Sequence, residues 1–160
     1  MRGLVLAATV ALSLTSSRLQ AQKSFSLEAG YLAAFEDAAF LVGFRATGAK
    51  AGAAGVDFSI STLPQGFPEG FLVLLPHLDI TTAAAVGPNA WLLPRFGASA
   101  LIGVGDGGGG GVFGLNGGIG LLGRLSEKAG IRLDLTYMRY FGDGDSIGLT
   151  ALTFGYAWMR

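Results

Sequence analysis

The chain has one histidine, His77, and Asp79 stands two residues after it. Residues two apart in a strand lie on the same face, and a hairpin symmetric about Glu69 would put Ser61 directly opposite His77. A hydroxyl, an imidazole and a carboxylate within reach of each other are the components of an acyl-transfer site. Ser61, His77 and Asp79 are therefore candidate catalytic residues. The simpler interpretation, which we favour, is a hydrogen-bonded network inside the protein.

A second candidate site lies in the segment Gly142–Ser146, where Asp143 and Asp145 alternate with small residues. Carboxylate oxygens are the ligands that hard divalent cations prefer, so both aspartates are candidate metal ligands. We favour the interpretation that they are ordinary turn formers. The segment Gly103–Gly108 fits the glycine spacing of a nucleotide-binding loop but lacks the strand–helix context. The sequence predicts no cofactor.

Composition limits the classes of protein that the chain can belong to. Of its 160 residues, 51% are apolar and 14% charged, 27 are Gly and none is Cys, which excludes a disordered chain and a disulfide scaffold. The charges balance, with 11 Lys and Arg against 11 Asp and Glu, so a nucleic-acid partner is not expected.

Eight segments alternate apolar and polar residues with the two-residue period of a strand that has one apolar face. In the first, Phe25, Leu27 and Ala29 face one side, and Ser26 and Glu28 face the other. The segments are residues 24–34, 40–46, 54–61, 77–84, 95–102, 114–124, 131–137 and 152–158. After residue 21 there are about 17 residues for each strand and its connection, enough for a tilted membrane strand of about 9–11 residues.

The character of the two faces decides between a soluble and a membrane barrel. The polar face is rich in Gly, Ser and Thr and holds most of the strand charges, whereas the other face carries Phe, Leu, Ile and Val. Small and polar residues suit the interior of a narrow barrel, and a large apolar face suits lipid. The sequence predicts an eight-stranded antiparallel up-and-down transmembrane β-barrel. A soluble exported barrel is the alternative architecture.

The inward face is predicted to hold four acidic and four basic side chains. Because buried charges persist only when they are paired, we expect them to form one balanced network that fills the lumen. The predicted network consists of Glu28, Asp57, Asp79, Asp134, Arg45, Arg95, Arg124 and Arg132.

Proline and glycine predict irregularities in this barrel. Proline lacks the N–H that a closed sheet requires, so Pro76 and Pro94 suggest that the fourth strand begins near His77 and that the fifth is irregular before Arg95. The glycine run Gly107–Gly111 is predicted to be a mobile connection.

The N-terminus has the layout of a secretory signal peptide. Met1 and Arg2 form a short basic start, an apolar run follows to Leu14, and a polar stretch ends at the small residue Ala21. We predict a cleaved signal peptide at 1–21 and a single barrel domain at 22–160. An uncleaved membrane anchor is less favoured, because the apolar run is shorter than the roughly 20 residues of a spanning helix.

The signal peptide, the eight alternating segments and the alternating C-terminal residues Phe154, Tyr156 and Trp158 resemble those of small eight-stranded outer-membrane β-barrel proteins, the OmpA/OmpX-like group. The resemblance implies that these three aromatic residues form the signal by which the barrel is recognised for insertion. It also implies that the β-barrel assembly machinery is a partner and that the protein resides in the bacterial outer membrane.

These patterns predict a monomeric, non-enzymatic outer-membrane barrel with a filled lumen and a structural, surface-exposed or binding role in the cell envelope. Two alternatives remain open: an enzyme that acylates or deacylates outer-membrane lipid such as lipid A, and a narrow passive pore. The expected partners are outer-membrane lipid and lipopolysaccharide. With a periplasmic N-terminus, the outer connections are wholly acidic, so divalent cations could bridge them to lipopolysaccharide. Their acidic residues are Glu36, Asp37, Glu69, Asp106, Asp143 and Asp145.

Overall fold

A computed structural model describes residues 21–34, 37–65, 70–142 and 145–160, and these residues form nine β-strands. The strands are β1 (Ala21–Ala34), β2 (Asp37–Lys50), β3 (Ala53–Thr62), β4 (Leu72–Thr81), β5 (Ala84–Gly87), β6 (Ala90–Gly105), β7 (Gly108–Arg124), β8 (Ala129–Phe141) and β9 (Ser146–Met159). Within these ranges, no helix is long and apolar enough to cross a membrane.

The strands close into a barrel of eight strands, because β4 and β5 are two halves of one barrel strand and both pair with β6. Consecutive strands pair antiparallel, and closure comes from β1 pairing with β9. The predicted eight-stranded up-and-down β-barrel is confirmed. We call the end that carries Ala21 and Arg160 the basal end, and the opposite end, with the β1–β2, β3–β4, β6–β7 and β8–β9 connections, the distal end.

The exterior of the barrel is apolar and its interior holds the charges. Leu27, Ile80 and Phe96 are 55%, 67% and 63% exposed, whereas Asp57 and Arg132 are 0% and 1% exposed. The alternation of apolar and polar residues therefore has the orientation that the sequence predicts, with the large apolar side chains pointing out. This arrangement is the reverse of a soluble domain, in which apolar side chains are buried.

The interior also contains two apolar layers that the sequence analysis did not predict. A distal cluster consists of Leu32, Leu41, Leu75, Met138, Tyr140, Leu149 and Ala151. A basal cluster consists of Ala49, Ala83, Trp91, Leu93, Leu122, Ala157 and Met159. The charged residues lie between these clusters, so the lumen is closed by apolar packing on both sides of a polar centre.

The strands run through both prolines, which corrects the expectation that they delay the fourth strand and disorder the fifth. Pro76 pairs with Ile60 in β3, and Pro94 pairs with Ile119 in β7. On their other sides the ladders are already interrupted. The β4–β6 register omits Leu75 and Pro76, and Pro94 lies opposite the break between β4 and β5. A missing N–H is tolerated there because no ladder hydrogen bond depends on it.

The glycine run is strand, which corrects the prediction of a mobile connection. Gly108 pairs with Gly105, Gly109 with Val104 and Gly111 with Ile102, so β6 and β7 form a hairpin with a turn at Asp106 and Gly107. Backbone hydrogen bonding holds these residues in the sheet although they have no side chains to pack.

Candidate functional site

The central layer of the lumen is a network of charged side chains from six strands and an asparagine from a seventh. Alternation points every second residue of a strand inward, and the staggered pairing of the strands brings these inward residues to one level of the barrel. The contributing residues are Glu28 of β1, Arg45 of β2, Asp57 of β3, Asp79 of β4, Arg95 of β6, Asn116 of β7 and both Arg132 and Asp134 of β8.

Acidic and basic groups alternate through the first half of this network. Arg45 donates from Nε to Glu28 Oε1 at 2.9 Å and from Nη1 to Asp57 Oδ1 at 2.6 Å. Arg132 continues the chain, with Nη2 at 3.2 Å from Asp57 Oδ2 and Nε at 2.6 Å from Asp134 Oδ2. Each guanidinium therefore bridges carboxylates from different strands.

The second half of the network runs from Asp134 to β7. Arg95 donates to Asp134 and, from Nη2, to Thr136 Oγ1 at 2.5 Å. Its Nε lies 3.6 Å from Asp79 Oδ2, and Asn116 Nδ2 donates to Asp79 Oδ1 at 2.6 Å. The chain of contacts therefore passes from Glu28 on β1 around to Asn116 on β7.

Hydroxyl groups add further hydrogen bonds to Glu28 and Asp57 and bring in the last strand. Ser26 Oγ donates to Glu28 Oε1 at 3.0 Å, and Thr153 Oγ1 of β9 donates to Glu28 Oε2 at 3.2 Å. Thr47 donates to Asp57 and accepts from Arg132. With Thr153 included, every strand of the barrel contributes a side chain, so the network cross-links the whole wall.

Glycines on the inner wall make room for the large guanidinium groups. A Cβ at Gly120 would lie 2.5 Å from Asp134 Oδ1 and 3.2 Å from Arg95 Nη1. A Cβ at Gly118 would lie 3.2 Å from Arg95 Nη2, and one at Gly97 would collide with Asp79 Oδ1. These contacts explain why part of the inner face is glycine instead of a larger polar residue.

Arg124 is the one predicted member that the structure does not bring into the network. Its guanidinium lies over the Trp91 ring, with Cζ at 4.9 Å from the ring centroid, at the basal end. Gly120 pairs with Asp134, so Arg124 is four residues, or about 13 Å of strand, beyond the network level. The network therefore contains four carboxylates and three guanidiniums instead of four of each.

The proposed catalytic residues are not assembled in the expected register. His77 lies opposite Ser59, Asp79 opposite Asp57, and Ser61 opposite Leu75. The hairpin is shifted by two residues, because alternation fixes which face a residue is on but not its partner across the strand. Asp79 is bound by Asn116 and Arg95.

A small cavity lies beside His77, between the charge network and the distal cluster. Its polar lining comes from Arg45, Ser59, Ser61, His77, Thr136 and Thr153. Its free volume, about 20 Å³, is that of about one water molecule. The cavity is too small to admit a lipid or another substrate.

The two candidate metal ligands are only partly described. Asp143 lies outside the described residues, as do Glu36 and Glu69 of the predicted acidic rim. Asp145 is exposed, and its carbonyl accepts the Gly142 N–H at 3.0 Å. Asp37 and Asp106 are also exposed at the distal end. Between residues 21 and 160, apart from the gaps in the description, no cluster of three or more His, Cys, Asp or Glu side chains could hold a metal ion.

The aromatic residues divide between the two faces. Phe154, Tyr156 and Trp158, the predicted insertion signal, point outward from β9 and are 58%, 45% and 43% exposed. Trp91, in contrast, points inward and is buried in the basal cluster. Because β6 is regular through Pro94, every second residue before Arg95 also points inward, and Trp91 is one of these residues.

Sequence reasoning missed Asn116 and the threonines as members of the network. Asn116, Thr136 and Thr153 stand on the predicted inward face, and Thr47 continues that face one residue beyond the predicted segment 40–46, so alternation was the signal that could have found them. Their level along the barrel, which decides whether they reach a charge, depends on strand stagger. Alternation contains no information about stagger.

The sequence matches no protein-family model and no curated protein. Solved structures are similar in fold. Neisserial surface protein A has a TM-score of 0.60 at 9% identity, covering 88% of this chain and 97% of that one. The N-terminal β-barrel domain of Pseudomonas aeruginosa OprF has a TM-score of 0.56 at 17% identity, covering 86% and 99%. A major outer membrane protein from Thermus thermophilus also scores 0.56, at 14% identity, covering 86% and 99%.

These similarities define the class of fold. The chain has the eight-stranded β-barrel fold of small outer-membrane proteins, as the resemblance noted in the sequence implies. The identities are low, so the shared feature is the fold and not a particular activity.

Proposed function

We propose that this protein is a small bacterial outer-membrane barrel with a lumen filled by side chains, and that it has a structural or surface-exposed role in the cell envelope. The observation that carries the proposal is the reversed polarity of the barrel. The exterior is a continuous apolar surface, and the charges are paired inside. An apolar exterior of this extent is stable in lipid and would aggregate in water.

The height of the apolar surface supports membrane insertion. Along β8 the outward residues run from Ile131 to Phe141 and are apolar except for Arg139, whose guanidinium donates to the exposed Ser146 hydroxyl near the distal end. At about 3.3 Å per residue and a tilt of about 40°, they rise by about 25 Å, the height of the apolar band in such barrels. The outward aromatics Tyr156 and Trp158 at the basal end and Tyr31 and Phe40 at the distal end suit the two membrane interfaces.

The sequence supports the orientation and the route to the membrane. We infer that residues 1–21 are a cleaved signal peptide, that the basal end faces the periplasm and that the distal end faces the cell exterior. Outer-membrane lipid and lipopolysaccharide are then its surroundings, and the assembly machinery recognises the aromatic β9 terminus. The similar fold of a protein named as a Neisserial surface protein supports a surface-exposed role.

The interior favours this function over the two alternatives. A pore requires a continuous aqueous path, but two apolar clusters enclose the network. A lipid-modifying enzyme requires a nucleophile placed beside its base, but Ser61 lies opposite Leu75, and His77 and Asp79 are 8% and 2% exposed. The protein is therefore proposed to act through its surface and not through its lumen.

The experiment that tests the proposal combines membrane fractionation with gel mobility. The mature protein is expected in the outer-membrane fraction and, without boiling, should run as a faster, protease-resistant band, because a closed barrel resists detergent unfolding. Boiled protein is the control. A soluble periplasmic protein with no mobility shift would contradict the proposal.

A further inference from the structure

We propose that the basal end carries a binding site for an anionic phospholipid of the periplasmic leaflet, formed by Lys23 and Arg160 together with the aromatic rings next to them. The inference rests on the proposed membrane insertion and orientation of the barrel. It adds a specific ligand class to one side of the barrel.

The two cations are neighbours across the β1–β9 seam where the barrel closes. The Arg160 N–H donates to the Lys23 carbonyl at 2.9 Å, which continues the register of Ser24 with Met159 and of Phe25 with Trp158. Lys23 and Arg160 are exposed and share the outward parity of Phe25 and Trp158. The pair of cations therefore lies directly basal to a pair of aromatic rings.

The aromatic rings continue from this point as a row. Phe25 lies 5.8 Å from Trp158 and 5.8 Å from Phe44, measured between ring centroids. Phe44 is 6.1 Å from Phe58, and Trp158 is 5.0 Å from Tyr156. The row covers β3, β2, β1 and β9. Outward positions at the basal ends of β7 and β8 are aliphatic, with Leu121, Ile131 and Leu133.

The charges around this row fit an anion. Lys128 adds a third exposed cation in the adjacent β7–β8 turn, where its carbonyl accepts the Met159 N–H at 3.0 Å. Among the described residues of the basal connections, Glu127 is the one acidic residue. Neighbouring cations repel each other, so an anion bound between Lys23 and Arg160 is stabilised by both.

The depth of the cations fits a lipid headgroup. Lys23 is two residues basal to Phe25, which corresponds to about 5 Å along the membrane normal for a strand tilted by about 40°. The aromatic rings then lie at the level of the upper acyl chains and the cations at the phosphates. An anionic headgroup such as phosphatidylglycerol presents a phosphate with no amine, whereas a zwitterionic headgroup adds a cation that Lys23 and Arg160 repel.

Fluorescence quenching tests the site, because the chain has two tryptophans and Trp91 is buried. The W91F variant leaves Trp158 as the reporter. It is reconstituted into phosphatidylcholine vesicles that contain acyl-brominated phosphatidylglycerol or, in parallel, acyl-brominated phosphatidylcholine. We expect a roughly fivefold to tenfold greater relative binding constant for the anionic lipid, which salt near 1 M should remove.

Paired variants locate the effect. The K23Q/R160Q variant should show equal quenching by the two lipids, whereas R139Q, which removes an outward arginine near the distal end, should keep the preference. If W91F fails to fold, the same comparison is made with the unaltered protein, in which Trp91 is shielded from lipid.

The outcomes separate this inference from the proposed function. Equal quenching of Trp158 by both brominated lipids, in protein with Lys23 and Arg160 intact, would overturn the lipid site and leave the membrane barrel standing. Absence of quenching by either lipid would mean that Trp158 does not contact the membrane, which would overturn the membrane placement itself.

Discussion

Arg132 is the most connected side chain in the lumen. It bonds Asp57, Asp134 and Thr47, and its Nε also lies 3.7 Å from Glu28 Oε1. Its side chain is 1% exposed, so water cannot replace these contacts. Removing the guanidinium would leave buried carboxylates without their counter-ion. The resulting loss of folding stability is larger than the net stability that the intact ion pairs provide.

Replacing Arg132 by Met should therefore lower the free energy of unfolding by about 3–5 kcal/mol. Urea unfolding of the folded barrel, followed by tryptophan fluorescence, measures this change. Arg139→Met is the matched control, because Arg139 is exposed and bonds the Ser146 hydroxyl. Equal stability of the two variants would show that the network does not hold the barrel together.

Gly120 makes a second prediction at the level of single residues. A methyl group at this position would meet Asp134 Oδ1 at 2.5 Å, so Gly120→Ala should displace the network and cost about 1–3 kcal/mol. Gly117→Ala is the control, because its Cβ would meet no atom closer than 3.8 Å. The temperature at which the fast unboiled gel band disappears compares them, and a lower temperature for Gly117→Ala than for Gly120→Ala would refute the steric argument.

Among the strand pairs, the seam between β4/β5 and β6 has the most interrupted register, because its ladder has two gaps and a further shift between Ala85 and Gly87. The β4–β6 ladder omits Leu75 and Pro76, and the ladder is broken again between β4 and β5, opposite Pro94. The β8–β9 ladder, in contrast, runs without interruption from Ala129 to Phe141. Fewer backbone hydrogen bonds make local opening easier, so this seam is where the wall should open most readily.

Amide hydrogen exchange of the barrel in micelles checks this expectation. The amides of β4, β5 and the facing side of β6 next to these gaps should exchange at least about tenfold faster than those at the centre of the β8–β9 ladder, because opening there breaks fewer bonds. Uniform protection around the barrel would contradict it. Fast amide exchange concentrated between β1 and β9 would also contradict it, because the least stable strand pair would then be β1–β9.

At the scale of the whole molecule, the barrel is a closed sheet whose lumen is filled by side chains. The distal cluster, the charged layer and the basal cluster lie one above the other, and Leu93 and Leu122 are 0% exposed within the basal cluster. Small barrels of eight strands have interiors that side chains can fill completely.

Planar-bilayer recordings should therefore show no discrete conductance steps when folded protein is added. An ion would have to cross two apolar layers, which exclude water. Protein-free bilayers treated with the same detergent are the control. Reproducible ohmic steps that require the folded protein would show that the lumen conducts and would support the pore alternative.

The sequence predicted the strands and faces well because both follow from local chain geometry. Leu27 and Phe154 point outward and Arg45 and Asp134 inward, as the two-residue period requires. The prolines were misjudged because their cost depends on whether the neighbouring strand offers a hydrogen bond at that point. The glycine run was misjudged because its order comes from pairing with β6.

The sequence predicted which residues belong to the candidate site better than it predicted which of them contact each other. Seven of the eight charges expected in the lumen meet there, since alternation places them inward. Arg124 has the same parity but lies at another level, and Ser61 faces Leu75 instead of His77. The apolar layers were missed because they interrupt an inner face that the sequence pattern suggested was polar throughout.

By itself, the sequence determined the number of strands and the side to which each residue points. These properties depend on alternation within one strand, which every residue carries locally. Only the tertiary structure decided which residues meet across the lumen, because shifting a strand pair by two residues preserves both faces and changes every partner. The stagger of the closed barrel selects one register, and so it decides that Arg132 reaches Asp57 and that Arg124 lies over Trp91 instead.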